Sequence, residues 1–238
     1  MPFFHSNVTK YGNTLNVRGY KDGIRYSEKV KFKPTLYGQS DHETGFKSIR
    51  GQNLAPISFD SMSEANEFIK NYQRIGTVNL NGNENYDAQY LWDLYGDKPV
   101  DYDYELITIL SADIEVRSDE GFPNVEEAAR ELTAIDLIVM QGQSRKKFQF
   151  GLFVDYVAPE DVEYIHCTDE IDLIRKFIAL YESIDPDIIT GWNVDGFDMP
   201  YLYRRILRVL GEKEAKRLSP TGVVRQRGSG RYAIGGDI

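Results

Sequence analysis

Two short acidic stretches hold the chemistry this chain could do: SADIEV at residues 111–116 and GWNVDGFDMP at 191–200. The first sets Asp113 and Glu115 two residues apart. On a β-strand, positions i and i+2 share a face, so both carboxylates leave one side of LITILSADIEV (106–116). That run is dense in aliphatic and β-branched residues and reads as a strand buried on both faces. Two like charges a few ångströms apart in such surroundings are costly unless cations neutralise them. Oxygen ligands alone suit the hard ions Mg²⁺ and Mn²⁺, with no need for His or Cys. The D-x-E spacing is weak by itself, since it recurs at Asp41/Glu43, Asp103/Glu105 and Asp161/Glu163. Only its apolar context singles out the 113/115 pair, and the plainer alternative is a strand end emerging into solvent.

In the second stretch Asp198 follows an apolar strand, DIITGW (187–192), and immediately precedes a helix start. A helix N-cap is its simplest role; a carboxylate near the edge of the same sheet as Asp113 and Glu115 is the sharper one. Asp195, between Val194 and Gly196, suits a solvated turn. Acids converging from different strands onto one sheet edge point to two-metal phosphoryl transfer, in which ions about 3.5–4 Å apart activate water and stabilise the leaving oxygen.

The elements that must position these acids differ between the two parts of the chain. NTLNVRGY (13–20) and IRYSEKVKF (24–32) alternate polar and apolar residues around Lys21-Asp22-Gly23, which is hairpin chemistry. SMSEANEFIKNY (61–72) reads as a helix with capping-box spacing at Ser61 and Glu64. Residues 79–104 are polar, acidic and tyrosine-rich, with Gly82, Gly96 and Pro99 as breakers, and a domain boundary is expected near 104. Beyond it, TAIDLIVM (133–140) and FQFGLFVDY (148–156) read as adjacent antiparallel strands and VEYIHC (162–167) as a short strand. TDEIDLIRKFIALYESI (168–184) reads as a helix capped by Thr168, with Ile171, Ile174, Ile178 and Tyr181 on one side. From Pro200 a helix runs to about Leu210, with Leu202, Ile206, Val209 and Leu210 inward and Arg204, Arg205 and Arg208 mainly outward. The end, VVRQRGSGRYAIGGDI, has the look of a hairpin cut short. The whole is a mixed α/β (α+β) chain: a small β-rich domain at 1–104, then a second domain at 105–238.

The net charge of −9 conceals a segregation. Residues 1–75 carry 11 Lys and Arg against 7 Asp and Glu; residues 76–200 carry 8 against 27; residues 201–238 carry 9 against 3. An acidic middle repels phosphate unless cations intervene, so charge alone argues either for a solvated acidic surface or for a carboxylate metal site with basic flanks. A single cysteine, Cys167, forbids an internal disulfide and fits a reducing compartment. The start lacks a basic stretch leading into an apolar one, and no apolar run reaches membrane-span length. A soluble, cytoplasmic protein is expected, in a host cell if it is viral.

ADIEV followed by GWNVDGFDMPYLYRRI resembles the first and second exonuclease motifs of family B DNA polymerases. SDEGFPNVEEA after the first and GEKEAKRLSP after the second are similar to the T-even phage type, and residues 1–104 also resemble that family's N-terminal domain. The resemblance implies a 3′–5′ exonuclease domain of ribonuclease-H-like fold with a mixed central sheet. It implies proofreading of single-stranded or primer-template DNA with two Mg²⁺ or Mn²⁺ ions. Asp113, Glu115 and Asp198 match the catalytic, metal-binding acids. Asn193 and Phe197 match the N-x-x-x-F-D pattern near the DNA strand, and Phe122, in GFP, matches an aromatic that stacks on an unpaired base. A small satellite core is the plainer role for Phe122, and packing is expected of Trp192.

The family's third motif, Y-x-x-x-D, is expected beyond Asp198. The literal match, Tyr181 to Asp185, precedes it on a helix end; Tyr232 and Asp237 are one residue too far apart. Truncation before the third motif and absence of the polymerase palm are therefore expected, with the rest of the polymerase, in the same gene or a second chain, as partner. Two rivals stand beside this reading. One is a non-catalytic nucleic-acid-binding or regulatory module using the basic flanks, with RNA binding by residues 1–104 left open. The other, a free-standing exonuclease, would need the third motif within the chain.

Overall fold

The computed structural model describes residues 3–75, 80–118, 121–226 and 232–234. The chain divides into two compact units, residues 1–102 and 103–238.

In the first unit β1 (Phe3–Tyr11), β2 (Thr14–Lys21) and β3 (Ile24–Val30) form an antiparallel sheet. The turn between β2 and β3 places Asp22 at φ 54° and Gly23 at φ 78°. Both central residues of a two-residue hairpin of this hand need positive φ, which Asp tolerates and Gly adopts without strain. β4 (Thr35–Gln39), β5 (Phe46–Lys47) and β6 (Asn53–Ser58) make a second small sheet. α1 (Met62–Ile75) opens with Ser61 Oγ accepting from Glu64 N at 3.2 Å, while Glu64 Oε2 accepts from Asp60 N at 2.8 Å. The reciprocal cap is present, its second bond displaced by one residue. α2 (Tyr86–Tyr95) lies within the stretch that sequence left without structure. Asn85 caps it by accepting from Asp87 N and Ala88 N, and Tyr86 is buried beside Leu15, Phe32, Leu36, Met62 and Ala65 in the unit's core.

The second unit is built on a five-stranded sheet of β7 (Thr108–Val116), β8 (Leu132–Gln141), β9 (Ser144–Gly151), β10 (Val162–His166) and β11 (Ile188–Thr190). Its order is β10-β9-β8-β7-β11. β8 runs antiparallel to β7 and β9, whereas β10 is parallel to β9 and β11 to β7. The expected mixed central sheet and mixed α/β architecture are thus observed. α3 (Glu170–Ile184) and α4 (Asp198–Leu210) contribute Leu173, Ile174, Phe177, Ile178, Leu202 and Ile206 to a core shared with Leu110, Ala112, Ile114, Ile135 and Leu137 of the sheet. α5 (Glu212–Ala215) adds Ala215 to it. β12 (Val224–Gln226) pairs antiparallel with β13 (Tyr232–Ile234), and the residues that join them lie outside the described ones.

Several local expectations change. β7 is not buried on both faces: Leu110, Ala112 and Ile114 face the core, while Asp113 and Glu115 are exposed. α3 is capped by Asp169, whose side chain accepts from Asp172 N at 2.8 Å, and Ile171 faces outward because the core lies under 173, 174, 177, 178 and 181. Ile188 of the short β11 is exposed. Arg204 and Arg205 do not point to solvent; both are largely enclosed, against the chain that joins β7 to β8.

Candidate active site

The three sequence-selected acids lie near the end of β7, two on the strand and one bonded to its backbone. β11 runs parallel to β7 with Thr190 opposite Ser111, and the chain leaves β11 at Gly191. A Cβ at Gly191 would lie 2.5 Å from the Ala112 carbonyl oxygen, so only glycine lets the loop hug β7 here. Asn193 then turns the chain at φ 53°, its carbonyl accepting from Gly196 N at 3.0 Å and Phe197 N at 2.9 Å. Asn193 and Asp195 are exposed on this turn, as a solvated turn former should be.

α4 begins at Asp198 itself, with Phe197 in the capping position, so the helix-cap alternative for Asp198 does not hold. Its carboxylate is 3% exposed and turns to the sheet instead, Oδ1 accepting from Ile114 N at 3.1 Å. That places a buried carboxylate between Asp113 and Glu115 along β7. Burial pushes the Asp198 carboxyl above its ordinary range, the Ile114 N–H opposes this, and the negative charges of Asp113 and then Glu115 push it further up. The costly buried charge anticipated at Asp113 and Glu115 therefore resides at Asp198.

Sequence reasoning missed a neighbouring acid. Asp136 of β8 stands directly opposite Asp113 and, as a cross-strand partner, shares its face. Burial raises its carboxyl, Asp113 adds to the rise, and a hydrogen bond with Gln149 opposes it. The signal was in TAIDLIVM, where an acid interrupts an otherwise apolar strand. The literal Tyr181-to-Asp185 match is structural: Tyr181 is buried with its hydroxyl donating to Leu218 O at 2.9 Å, and Asp185 closes α3 in the left-handed conformation.

Phe122 is 78% exposed and is not part of a satellite core. Its ring lies 4.8 Å from that of Phe197, which lies 5.6 Å from Tyr201. Trp192 is 92% exposed rather than packed. The arrangement thus joins a buried carboxylate, two exposed ones and an exposed aromatic face. Among the described residues no three His, Cys, Asp or Glu side chains, as they stand, gather into a group that could hold a metal ion. The donor chemistry nevertheless fits hard divalent cations: every candidate ligand is a carboxylate, and Asp198 is held in excess negative charge that a cation would offset. No helix among the described residues is long and apolar enough to cross a membrane.

This fold, with strand-end acids on a mixed sheet in the second unit, matches part of a family B DNA polymerase. The structure of the family B DNA polymerase from the hyperthermophilic archaeon Pyrobaculum calidifontis superposes with a TM-score of 0.61 at 16% identity, covering 99% of this chain and 35% of that one. The family model for the DNA polymerase family B exonuclease domain matches residues 71–231, and the chain belongs to that family. The DNA-directed DNA polymerase of Enterobacteria phage T4 is 32% identical over 95% of this chain and 28% of its own length. That of Escherichia phage RB69 is 29% identical over 92% of this chain and 27% of its own. The chain thus spans little more than a quarter of these two relatives.

Proposed function

We propose that the chain is the N-terminal and 3′–5′ exonuclease portion of a replicative DNA polymerase, residues 1–104 and 105–238 being its two domains. The observation that carries this is the buried Asp198 bonded to the backbone of β7 between Asp113 and Glu115, within a chain of the matching family. Asp113, Glu115 and Asp198 are the residues that would hold two Mg²⁺ or Mn²⁺ ions, and the two exposed side chains would have to turn toward Asp198 to do so. Bound there, the ions would lower the pKa of the attacking water and offset charge on the leaving oxygen. Phe122, braced on Phe197, offers a stacking face to the terminal base, a mode tolerant of sequence as proofreading requires. Asn193, exposed on its turn, faces the strand. Water adds to the terminal phosphorus as the bond to the 3′ oxygen breaks, freeing a deoxynucleoside monophosphate and leaving a new 3′-hydroxyl.

The test mixes the chain with Mn²⁺ and a 3′-labelled single strand. Release of the labelled monophosphate is expected, and its loss in Asp113→Ala. Cleavage that survives Asp113→Ala rejects the site.

A further inference from the structure

Between β7 and β8, residues 121–131 form no helix or strand, yet the segment is fastened along most of its length. Arg205 of α4 forms a fork with Glu170 of α3, Nε to Oε1 and Nη2 to Oε2, both at 2.7 Å. Arg205 Nη1 also donates to the carbonyls of Ala128 at 3.1 Å and Ala129 at 2.9 Å, and Glu170 Oε1 accepts from Leu132 N at 2.7 Å. Tyr201 accepts from Arg130 N at 3.2 Å and donates to Arg130 O at 2.7 Å. Arg204 pairs with Glu126. Ala128, wholly buried, sits at φ 42°, a conformation a non-glycine residue keeps only when its surroundings impose it. These fasteners come from α3 and α4, and the tie continues within the segment. There Arg130 Nη1 donates at 2.9 Å to the carbonyl of Gly121, the residue before Phe122, and that carbonyl also accepts from Ser118 Oγ at 2.8 Å.

We infer that Arg205 is a positioning residue for strand binding: its fork on Glu170 fixes residues 128–132 against α3 and α4, and thereby holds Phe122 over Phe197, one residue before Asp198. This rests on the reading of Phe122 as a base-stacking face. Arg205 itself touches neither the ring nor the acids; it acts through the backbone it holds. A clamp that only stabilised the fold would leave strand binding unchanged in any variant that still folds.

The experiment follows fluorescence of a single strand ending in 2-aminopurine, whose emission falls on stacking, in EDTA so that no cleavage occurs. Wild type, Phe122→Ala, Arg205→Met and the double variant are compared after near-UV circular dichroism confirms native packing. Phe122→Ala should weaken binding roughly tenfold and abolish the quench. Arg205→Met should do nearly the same, and the double variant should be no worse than Phe122→Ala, since non-additivity marks a shared cause. Wild-type binding by folded Arg205→Met, or multiplied losses in the double variant, overturns the inference. Should Arg205→Met not fold, Tyr201→Phe removes only the two bonds to Arg130. A loss of binding that vanishes in the Phe122→Ala background supports the inference, and undiminished binding overturns it. Absence of any quench with the wild-type chain would reject the strand-end reading itself.

Discussion

Asp198 combines two demands that ordinarily exclude each other: a carboxylate removed from water and a charge flanked by like charges. Its backbone donors, Ile114 N and its own N–H, offset only part of that cost. Because its carboxyl titrates above the ordinary 3.8, the sign of its pH dependence is set. The favourable contribution is fully present below 3.8, where the group is protonated in both states, and is lost as pH rises through the raised folded value. Without divalent ions, Asp198→Asn, which still offers an oxygen to Ile114 N, should therefore match the parent in Tm at low pH and exceed it increasingly toward neutrality. Thermal melts across that range check this. Addition of Mg²⁺ should raise Tm for the parent and not for Asp198→Asn, as expected of a ligand that binds only the folded acids. At the facing position, Asp136→Asn should raise metal-free Tm in the same direction, since burial and the Asp113 charge both raise its carboxyl.

Among elements, the approach of the Gly191 loop to β7 and the clamp across α3 and α4 decide where the site stands. Gly191→Ala forces a methyl into the Ala112 carbonyl, a backbone contact that cannot swing away. A loss of about 1–3 kcal/mol is expected, read by urea denaturation. In the clamp, the Arg205 and Glu170 side chains are each 11% exposed. Arg205→Met leaves the Glu170 carboxylate enclosed without its partner and should cost about 3–5 kcal/mol, whereas replacing both by methionine should recover much of that loss. The elements were unevenly legible in the sequence. The β2–β3 hairpin was readable because Asp22 and Gly23 carry the turn's φ requirement themselves. α2 was not, because its leucines, tyrosines and tryptophan form no clear apolar stripe and stand among polar residues, and its capping Asn85 resembled loop composition. The outward reading of Arg204 and Arg205 failed because charge predicts exposure only where no carboxylate or carbonyl waits in the fold; here Glu126, Glu170 and two backbone carbonyls do.

For the whole molecule, the two hydrophobic cores draw on separate stretches of chain, one ending by Tyr90 and the other beginning at Leu110. Residues 96–102 are exposed between them. Brief proteolysis should cut first in that run and leave two fragments, each keeping a cooperative unfolding transition by calorimetry; a single transition that collapses on cutting would contradict separate cores. The segregated charge belongs to this scale as well. The acidic middle repels nucleic acid while the basic flanks attract it. Strand affinity, measured by fluorescence anisotropy, should therefore rise on adding Mg²⁺, which neutralises the carboxylates, and fall with added monovalent salt, which weakens the contacts of the flanks with phosphate.

The sequence alone determined which residues could do chemistry and their parity on the strand. The i, i+2 spacing of Asp113 and Glu115 requires a common face whatever surrounds it, and the order of the two acidic motifs places the chain in its family. These properties reside in windows of a few residues. Only the tertiary structure decided which acid is buried, that Asp136 stands opposite Asp113, and that Phe122 and Trp192 face outward. It also decided that the arginines of α4 clamp a loop rather than meet solvent. Burial, cross-strand register and ion-pair partners depend on groups dozens of residues apart, as with Asp198 and Ile114 or Arg205 and Ala128, and no local pattern records which distant group arrives.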